Sequence, residues 1–494
     1  MKFHTKTIYF FVYLLYTLDE KTIEVISVGL ISFVKKLFRK VPKEYSLLDT
    51  FGCPECPPQD CPTFLERAIH KKFQNAIMSY NIIVVYGESR QGKTWTIERY
   101  CPSQLRIGCD ASMTLEQIKK EMLHVVGLDI HTVEHSVTEE YSEGCSASSS
   151  VGAEMLMSAG MDASLSVAHS ETLKTTYDTV DLTKNVEFLG AIKQNSAGKY
   201  YVFDNFHYLS PIVQQQFCSL LKEFNYQGIK IIIVGVWKDA SRITALAPDL
   251  LNRCAHVDIG TWTEEELGIV AERGAKALNI EIDSDAKAVF VRCAAHNIGI
   301  FKDFLQKYCQ EFAVYRTQEA RKSLTGIDST SKVAEEVISE AYTPLRDRII
   351  NLAMPQRDRK ESKRMRLKMI IAVLRLIVED DAAQTQGGIH LNAIKAKLDA
   401  LCSIWEEDQI GISNLTQELG LLHLREENRQ TGTNFIPLFY FDKANKKLLV
   451  LEPTVYVIKE YNETLLTDIA EELEKNVKHV SVPGALEQQE FILP

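Results

Sequence analysis

Short apolar runs that end in Gly, Asp or Asn recur along the first half of the chain, and segments with apolar residues at helical spacing separate them. The runs are Asn81 to Gly87 (NIIVVYG), Leu105 to Ala111 (LRIGCDA), Lys199 to Asn205 (KYYVFDN), Lys230 to Val236 (KIIIVGV) and Ala255 to Gly260 (AHVDIG). Runs this short and this continuously apolar predict strands buried on both faces. Thr114 to Val126, Asp181 to Gln194 and Ser210 to Phe224 read as helices between them. Pro62 to Ile77 reads as a helix leading in, with Phe64, Leu65, Ala68, Ile69 and Phe73 on one face. Five strands alternating with helices predict an α/β fold, a parallel sheet covered on both sides. This core is assigned to residues 62–260.

The period changes after Gly260. Thr263 to Leu278, Asp283 to His296 and Gly299 to Tyr315 are amphipathic helices with no strand between them, which predicts a helical lid over residues 261–345. A polar segment and a basic run, Arg357 to Lys368, lead into a third unit at 346–460. There, Met365 to Val378, Gly387 to Leu401 and Gly411 to Leu422 read as helices, followed by strands Pro437 to Asp442 and Lys447 to Pro453. Three helices and a hairpin are the order of a winged helix. Residues 1–61 are left as an N-terminal helical and Cys/Pro-rich segment, and 461–494 as a C-terminal tail. A Ser-, Ala- and Gly-rich insertion at 132–180 alternates apolar and small polar residues from Val151 to Val167, which fits a projecting hairpin and equally a flexible low-complexity loop.

The chain has 494 residues, 45% apolar and 25% charged, which suits about three packed globular units. A net charge of −10 argues against non-specific nucleic-acid binding by the molecule as a whole without excluding it, and any such contact needs a locally basic surface. Eleven cysteines, odd in number and set in apolar segments, suit reduced thiols in a cytoplasm. Cys53, Cys56 and Cys61 form a cluster with one C-x-x-C, open to a metal or to a plain Pro-rich linker. Ile8 to Leu18 is an apolar run of eleven residues, too short for the ~20 that cross a bilayer, and no small-residue cleavage site follows it. Ile26 to Lys40, apolar at helical spacing with a basic tail, leaves membrane contact open against packing on the protein or a partner.

The chemistry centres on Gly87-Glu88-Ser89-Arg90-Gln91-Gly92-Lys93-Thr94, which fits G-x-x-x-x-G-K-[ST] between a predicted strand and a helix that continues with Trp95. Glycines permit the tight loop, and its N–H groups and the helix N-terminus point at phosphate oxygens. Lys93 reaches the β- and γ-phosphates of ATP, and Thr94 ligates Mg²⁺. A second metal-holding carboxylate is expected at the end of another apolar strand, where Asp204 stands.

This order of P-loop strand, acidic strand, further strand, Asn-Arg pair, helices and winged helix resembles the AAA+ and STAND ATPases. It is most similar to the Orc/Cdc6-like and archaeal-type STAND ATPases with a C-terminal winged helix, over residues 62–455. The resemblance implies ATP and Mg²⁺ as cofactors, with Arg253 as an arginine finger for a neighbour's γ-phosphate and Lys302 at the sensor position of the lid. One departure is Asn205, where the family carries a carboxylate that orients and deprotonates water. An amide can place water without taking its proton, which implies slow hydrolysis; Asp110 and Glu88 are candidate replacement bases. Gly235, Val236 and Trp237 stand where a polar sensor is expected, and His207 either senses phosphate or packs locally.

The candidate recognition helix, Ile412 to Leu422, offers no Arg or Lys, so base readout is poorly supported. Lys443, Lys446 and Lys447 in the hairpin, Arg425 and Arg429 before it, and the basic run around Arg364 are candidate phosphate contacts. Two functions are therefore expected. One is an ATP-dependent homo-oligomeric switch in bacterial antiphage defence, acting on a separate effector protein. The other is an Orc- or transposition-type ATPase that holds duplex DNA through its winged helix.

Overall fold

The computed structural model describes residues 43–53, 60–110, 112–128, 182, 184–236, 253–354, 360–380, 387–427, 437–443 and 445–480. The insertion at 132–180, the first 42 residues, Cys56, Trp237 and Arg429 lie outside them. Strands β1 (Ile82–Tyr86), β2 (Leu105–Gly108), β3 (Tyr200–Asp204), β4 (Lys230–Val234) and β5 (Cys254–Asp258) form one sheet in the order β2-β3-β4-β1-β5, and every pairing in it is parallel. The five-stranded parallel α/β core read from the apolar runs is therefore present.

Alternate residues of each strand serve opposite faces. Ile82, Val84, Ile107, Tyr201, Phe203, Ile231 and Ile233 pack on α4 (Leu115–His124), α5 (Asn185–Asn195) and α6 (Pro211–Gln227). Ile83, Val85, Tyr200, Val202, Ile232 and Val234 face α2 (Ala68–Ser79) and α3 (Lys93–Tyr100). The chain leaves β1 through α3 to the far edge, β2, and returns through helices on the other face to β3 and β4. Right-handed crossovers require this change of face when the direction of travel along the sheet reverses. Ligands bind in the crevice outside the carboxyl ends of strands at such a switch point.

The lid contains α7 (Glu264–Leu278), α8 (Ser284–Cys293) and α9 (Ile298–Glu311). It differs from expectation in having a small parallel pair, β6 (Ile280–Ile282) with β7 (Lys322–Leu324). These strands are three residues each, too short to leave a period-two signal. The described part of the N-terminal segment is integral to the lid. Helix α1 (Leu47–Phe51) buries Leu47 and Phe51 in the lid core, and Phe51 lies so close to Gly274 that any Cβ there would collide with its ring.

The polar segment after the lid is a 27-residue helix, α10 (Ile327–Ala353), which runs through the expected boundary at 345 and tolerates Pro344 within it. The third unit holds α11 (Lys360–Glu379), α12 (Leu391–Ile404) and α13 (Ile412–Glu427), with β8 (Ile389–His390), β9 (Phe439–Asp442) and β10 (Lys447–Val450) in an antiparallel sheet of order β8-β10-β9. Beyond it, α14 (Thr454–Asn462) and α15 (Thr464–Val480) pack back on the molecule. Residues 464–480 are thus no tail: Leu466, Ile469, Ala470, Leu473 and Val477 are buried, and α15 lies against α11. One continuous buried cluster runs from the lid into the third unit. No helix among the described residues is long and apolar enough to cross a membrane.

Candidate nucleotide site

Between β1 and α3 the loop takes the conformation its glycines permit. Gly87, Arg90 and Gly92 have φ of 137°, 62° and 94°, and an added Cβ on Gly87 would stand 3.5 Å from Ile259. Helix α3 begins at Lys93 with Gly92 at its N-cap and no side-chain cap, so its first N–H groups are left to a ligand. The Lys93 ammonium donates to the carbonyls of Gly87 (2.9 Å) and Glu88 (2.5 Å). Desolvation pulls its pKa down to about 8 against the opposing pull of Asp204, Glu88 and Asp258. The P-loop lysine and the strand-end aspartate therefore share one electrostatic site.

Asp204 ends β3 on the face that carries α3. The following Asn205 adopts a left-handed conformation (φ 59°), which Asn tolerates better than most residues, and donates its N–H to Asp204 Oδ1 at 3.0 Å. Both residues line a cavity of about 550 Å³ together with Ser89, Arg90, Gln91, Gly92, Lys93, Thr94, Trp95, Val236 and Lys302. Gly87 and Glu88 are not among the lining residues; the Glu88 carboxylate accepts from Gln91 Nε2 at 3.4 Å.

The lid closes directly on the loop. At the start of α9, Asn297 Nδ2 donates to the Ser89 carbonyl (2.9 Å) and the Gly299 N–H to the Arg90 carbonyl (3.1 Å). Arg90 reaches Asp303 at 2.6 Å. Gly299 is required by this approach, since a Cβ there would lie 2.7 Å from Arg90 Cβ. One turn on, Lys302 is 3% exposed and its ammonium has no hydrogen-bond acceptor among the described residues. Its Nζ lies over the Trp95 ring, 4.1 Å from the centroid. Burial holds its pKa below the usual lysine range.

The other wall is mainly aromatic, with one ion pair. Phe64 stacks on His70 at 5.2 Å, and Arg67 lies over Trp262 at 4.5 Å while pairing with Glu266 at 2.9 Å. Burial and the Arg67 charge pull the His70 imidazole down to about 4, so it is neutral at pH 7. Trp262 Nε1 donates to the Gln91 carbonyl. A flat, largely uncharged pocket beside a phosphate loop suits a nucleoside base. On the far side, Tyr208 lines the cavity and is pushed up to about 12, chiefly by burial and then by Asp204 and Glu452. Glu452 accepts from Arg348 of α10 at 3.0 Å, so the lid-to-third-unit helix reaches the edge of the site.

Asp110 lies outside the lining: its register on β2 is two residues past the Gly108–Asp204 pair, and its Oδ1 accepts from the Ser112 N–H at 2.8 Å. His207 packs on Tyr208 at 4.1 Å, also outside it. Arg253 is exposed and immediately precedes Cys254, which pairs with Ile82 at the opening end of β1. The P-loop follows the closing end, about 16 Å away at ~3.3 Å per residue. Arg253 is thus out of reach of its own P-loop.

Reasoning from sequence missed Arg106, which lines the cavity with Nη1 3.9 Å from Asp204 and Nη2 2.8 Å from Glu98. Its signal was a charged residue inside an apolar run of a sheet covered on both faces. The Arg67–Trp262 pair left no signal, being 195 positions apart.

Several solved structures are similar to this chain over most of its length. A Walker-type ATPase of Pyrococcus abyssi is 12% identical over 82% of this chain and 96% of its own, with a TM-score of 0.48. An Orc1 protein of Aeropyrum pernix, solved in complex with DNA, is 10% identical over 86% and 98%, with a TM-score of 0.36. The RuvB Holliday junction branch migration motor of Thermotoga maritima is 12% identical over 81% and 96%, also at 0.36. No family model matches the chain, and no curated protein is significantly similar to it. The chemistry of the site therefore stands on its own geometry.

The basic groups of the third unit are arranged differently from expectation. Arg364, which is partly exposed, and Lys368 both bond the Glu407 carboxylate, and Arg366 is fully buried 3.7 Å from Glu418, so Arg366 and Lys368 are internal rather than phosphate contacts. Arg425 pairs with Glu418 at 2.7 Å. Lys443 and Lys446 remain exposed in the hairpin. Among the described residues, which leave out Cys56 of the Cys53, Cys56 and Cys61 cluster, no group of three or more His, Cys, Asp or Glu could hold a metal; Cys61 contacts the Thr63 hydroxyl at 3.2 Å.

Proposed function

We propose that the chain is a magnesium-dependent ATPase that works as a slow, ATP-gated switch. The observation that carries this reading is one cavity lined by the desolvated Lys93, by Asp204 and by the buried Lys302 ammonium, which has no hydrogen-bond acceptor among the described residues. A buried cation without a partner costs several kcal/mol unless an anion joins it, and a triphosphate supplies that anion. The N–H groups from Gly87 to Thr94 and Lys93 would hold the phosphates, and Phe64, His70 and Trp262 the base. Thr94 and Asp204 offer the hydroxyl and carboxylate oxygens that suit Mg²⁺, which when bound neutralises phosphate charge. Asn205 can orient water without accepting its proton, so turnover is slow.

Arg253, too far from its own P-loop, would serve a neighbour's, so the active form is a homo-oligomer. Mass in solution with ATP, with ADP and for Lys93→Ala tests this: assembly with ATP alone supports it, and one monomeric mass in all three states sinks it. A role in antiphage defence with a separate effector rests on the sequence resemblance alone.

The second reading, an Orc-like hold on duplex DNA, is favoured by one observation. Three helices and the β9–β10 hairpin have winged-helix order, with Lys443 and Lys446 exposed at the hairpin end. Charge reversal at Lys446 and Lys447 should then weaken ATP-dependent DNA binding and flatten its salt dependence by about two charges' worth of slope. Absence of DNA binding in the parent chain excludes it.

A further inference from the structure

Arg106 is a cation with no evident structural necessity at the catalytic end of the sheet. It stands on β2, the edge strand beside β3, with Val202 as its register partner, and Gly108 two residues on pairs with Asp204. Ile107 faces the α4–α6 core, so Arg106 shares the opposite face with Asp204 and α3. Its guanidinium is held loosely on two sides. Glu98 of α3 takes Nη2 at 2.8 Å but is also bonded by Gln104 Nε2 at 2.6 Å, and Asp204 lies 3.9 Å from Nη1, beyond hydrogen-bond range. The buried Nε has no acceptor among the described residues. A guanidinium has five donors in a fixed fork, and here most of that capacity is unspent beside the residue that faces the phosphates.

Lys93 and Lys302 approach the cavity from the P-loop and the lid, leaving the β2–β3 side to Arg106. We propose that Arg106 is a γ-phosphate ligand supplied within the same chain, which distinguishes ATP from ADP and stabilises the charge that develops during hydrolysis. This rests on the nucleotide-site reading above and deepens it. In the reaction, water oxygen bonds to the γ-phosphorus, the bond to the β–γ bridging oxygen breaks, and ADP leaves with the electron pair. The water proton passes to the released phosphate, because the Asn205 amide cannot take it. Arg106 exchanges no proton; its fork holds the equatorial oxygens as they gain charge.

The test measures affinity of the full chain for ADP and for the slowly hydrolysed analogue ATPγS, with magnesium, and then single-turnover hydrolysis of ATP. Arg106→Ala should leave ADP binding within about twofold, weaken ATPγS at least tenfold, and slow hydrolysis by about 10²–10³, the scale for losing one preorganised donor. Arg106→Lys, a point charge without the fork, should recover part of the ATPγS preference. Equal weakening of both nucleotides, or of neither, overturns the proposal and makes Arg106 a strand-to-helix fixture. Should Arg106→Ala fail to fold, Glu98→Gln keeps the arginine and loosens its hold; it should raise the ATPγS-to-ADP preference several-fold, and an unchanged preference overturns the idea. A parent chain that binds neither nucleotide removes the whole site reading, whereas a parent that binds both and an indifferent Arg106→Ala removes only the role given to Arg106.

Discussion

Lys302 in the lid and Lys368 in the third unit are both buried ammonium groups, 3% and 4% exposed, in opposite circumstances. Lys368 lies 2.9 Å from Glu407, which Arg364 also bonds, and Arg366 next to them is paired with Glu418. Lys302 lies over an aromatic ring and bonds no carboxylate among the described residues. Desolvating a charge costs several kcal/mol in either place. In the third unit that cost is offset inside the fold, so those cations are architecture. At the lid no hydrogen-bond acceptor among the described residues offsets it, which is what the proposed anion site requires. The same contrast explains why Arg366 and Lys368 can be prominent in sequence and yet lie inside the fold.

The comparison can be broken at its strongest point first. Glu407→Gln leaves Arg364 and Lys368 without their counter-charge, and chemical denaturation should show a loss of about 3–5 kcal/mol; a loss under about 1 kcal/mol would mean the third unit's cations are not held as described. Gly299→Ala forces a methyl into the Arg90 contact, and should cost about 1–3 kcal/mol while loosening the lid, read as faster hydrogen exchange in the P-loop. Lys302→Met should do two opposite things: raise the melting temperature of the nucleotide-free protein, and weaken ATP about tenfold, or ~1.4 kcal/mol. A structural lysine would move both in the same direction.

The smallest effect is one of pH. The Lys93 pKa of about 8 means that the free site loses its proton above that value, while bound phosphate restores the charged form. Binding then takes up a proton, and affinity is flat below pH 7 and falls as pH rises, about fourfold between pH 7 and 8.5. A rise in affinity over that window contradicts the assignment.

The P-loop and Asp204 were legible because motif, strand end and helix start coincide within a few residues. Lys302 was legible as a position, but not as a buried cation, since its isolation depends on Trp95 and the loop packing around it. Arg366 and Lys368 were misread because Glu407 and Glu418 lie some 40 to 50 residues further on and reach them only after α11, α12 and α13 pack. Helix α15 carried an open signal in Leu466, Ile469, Leu473 and Val477, spaced for one face, which position at the end of the chain obscured. Arg106 gave a faint one, a lone charge in an apolar strand.

The central claim, that this cavity is a magnesium-dependent ATP site, is tested most directly by calorimetric titration of the full chain with ATP. One nucleotide per chain, bound with magnesium and lost by at least two orders of magnitude in Lys93→Ala and in Asp204→Ala with magnesium present, is the predicted result. Binding that is absent, or that survives Lys93→Ala unchanged, contradicts it.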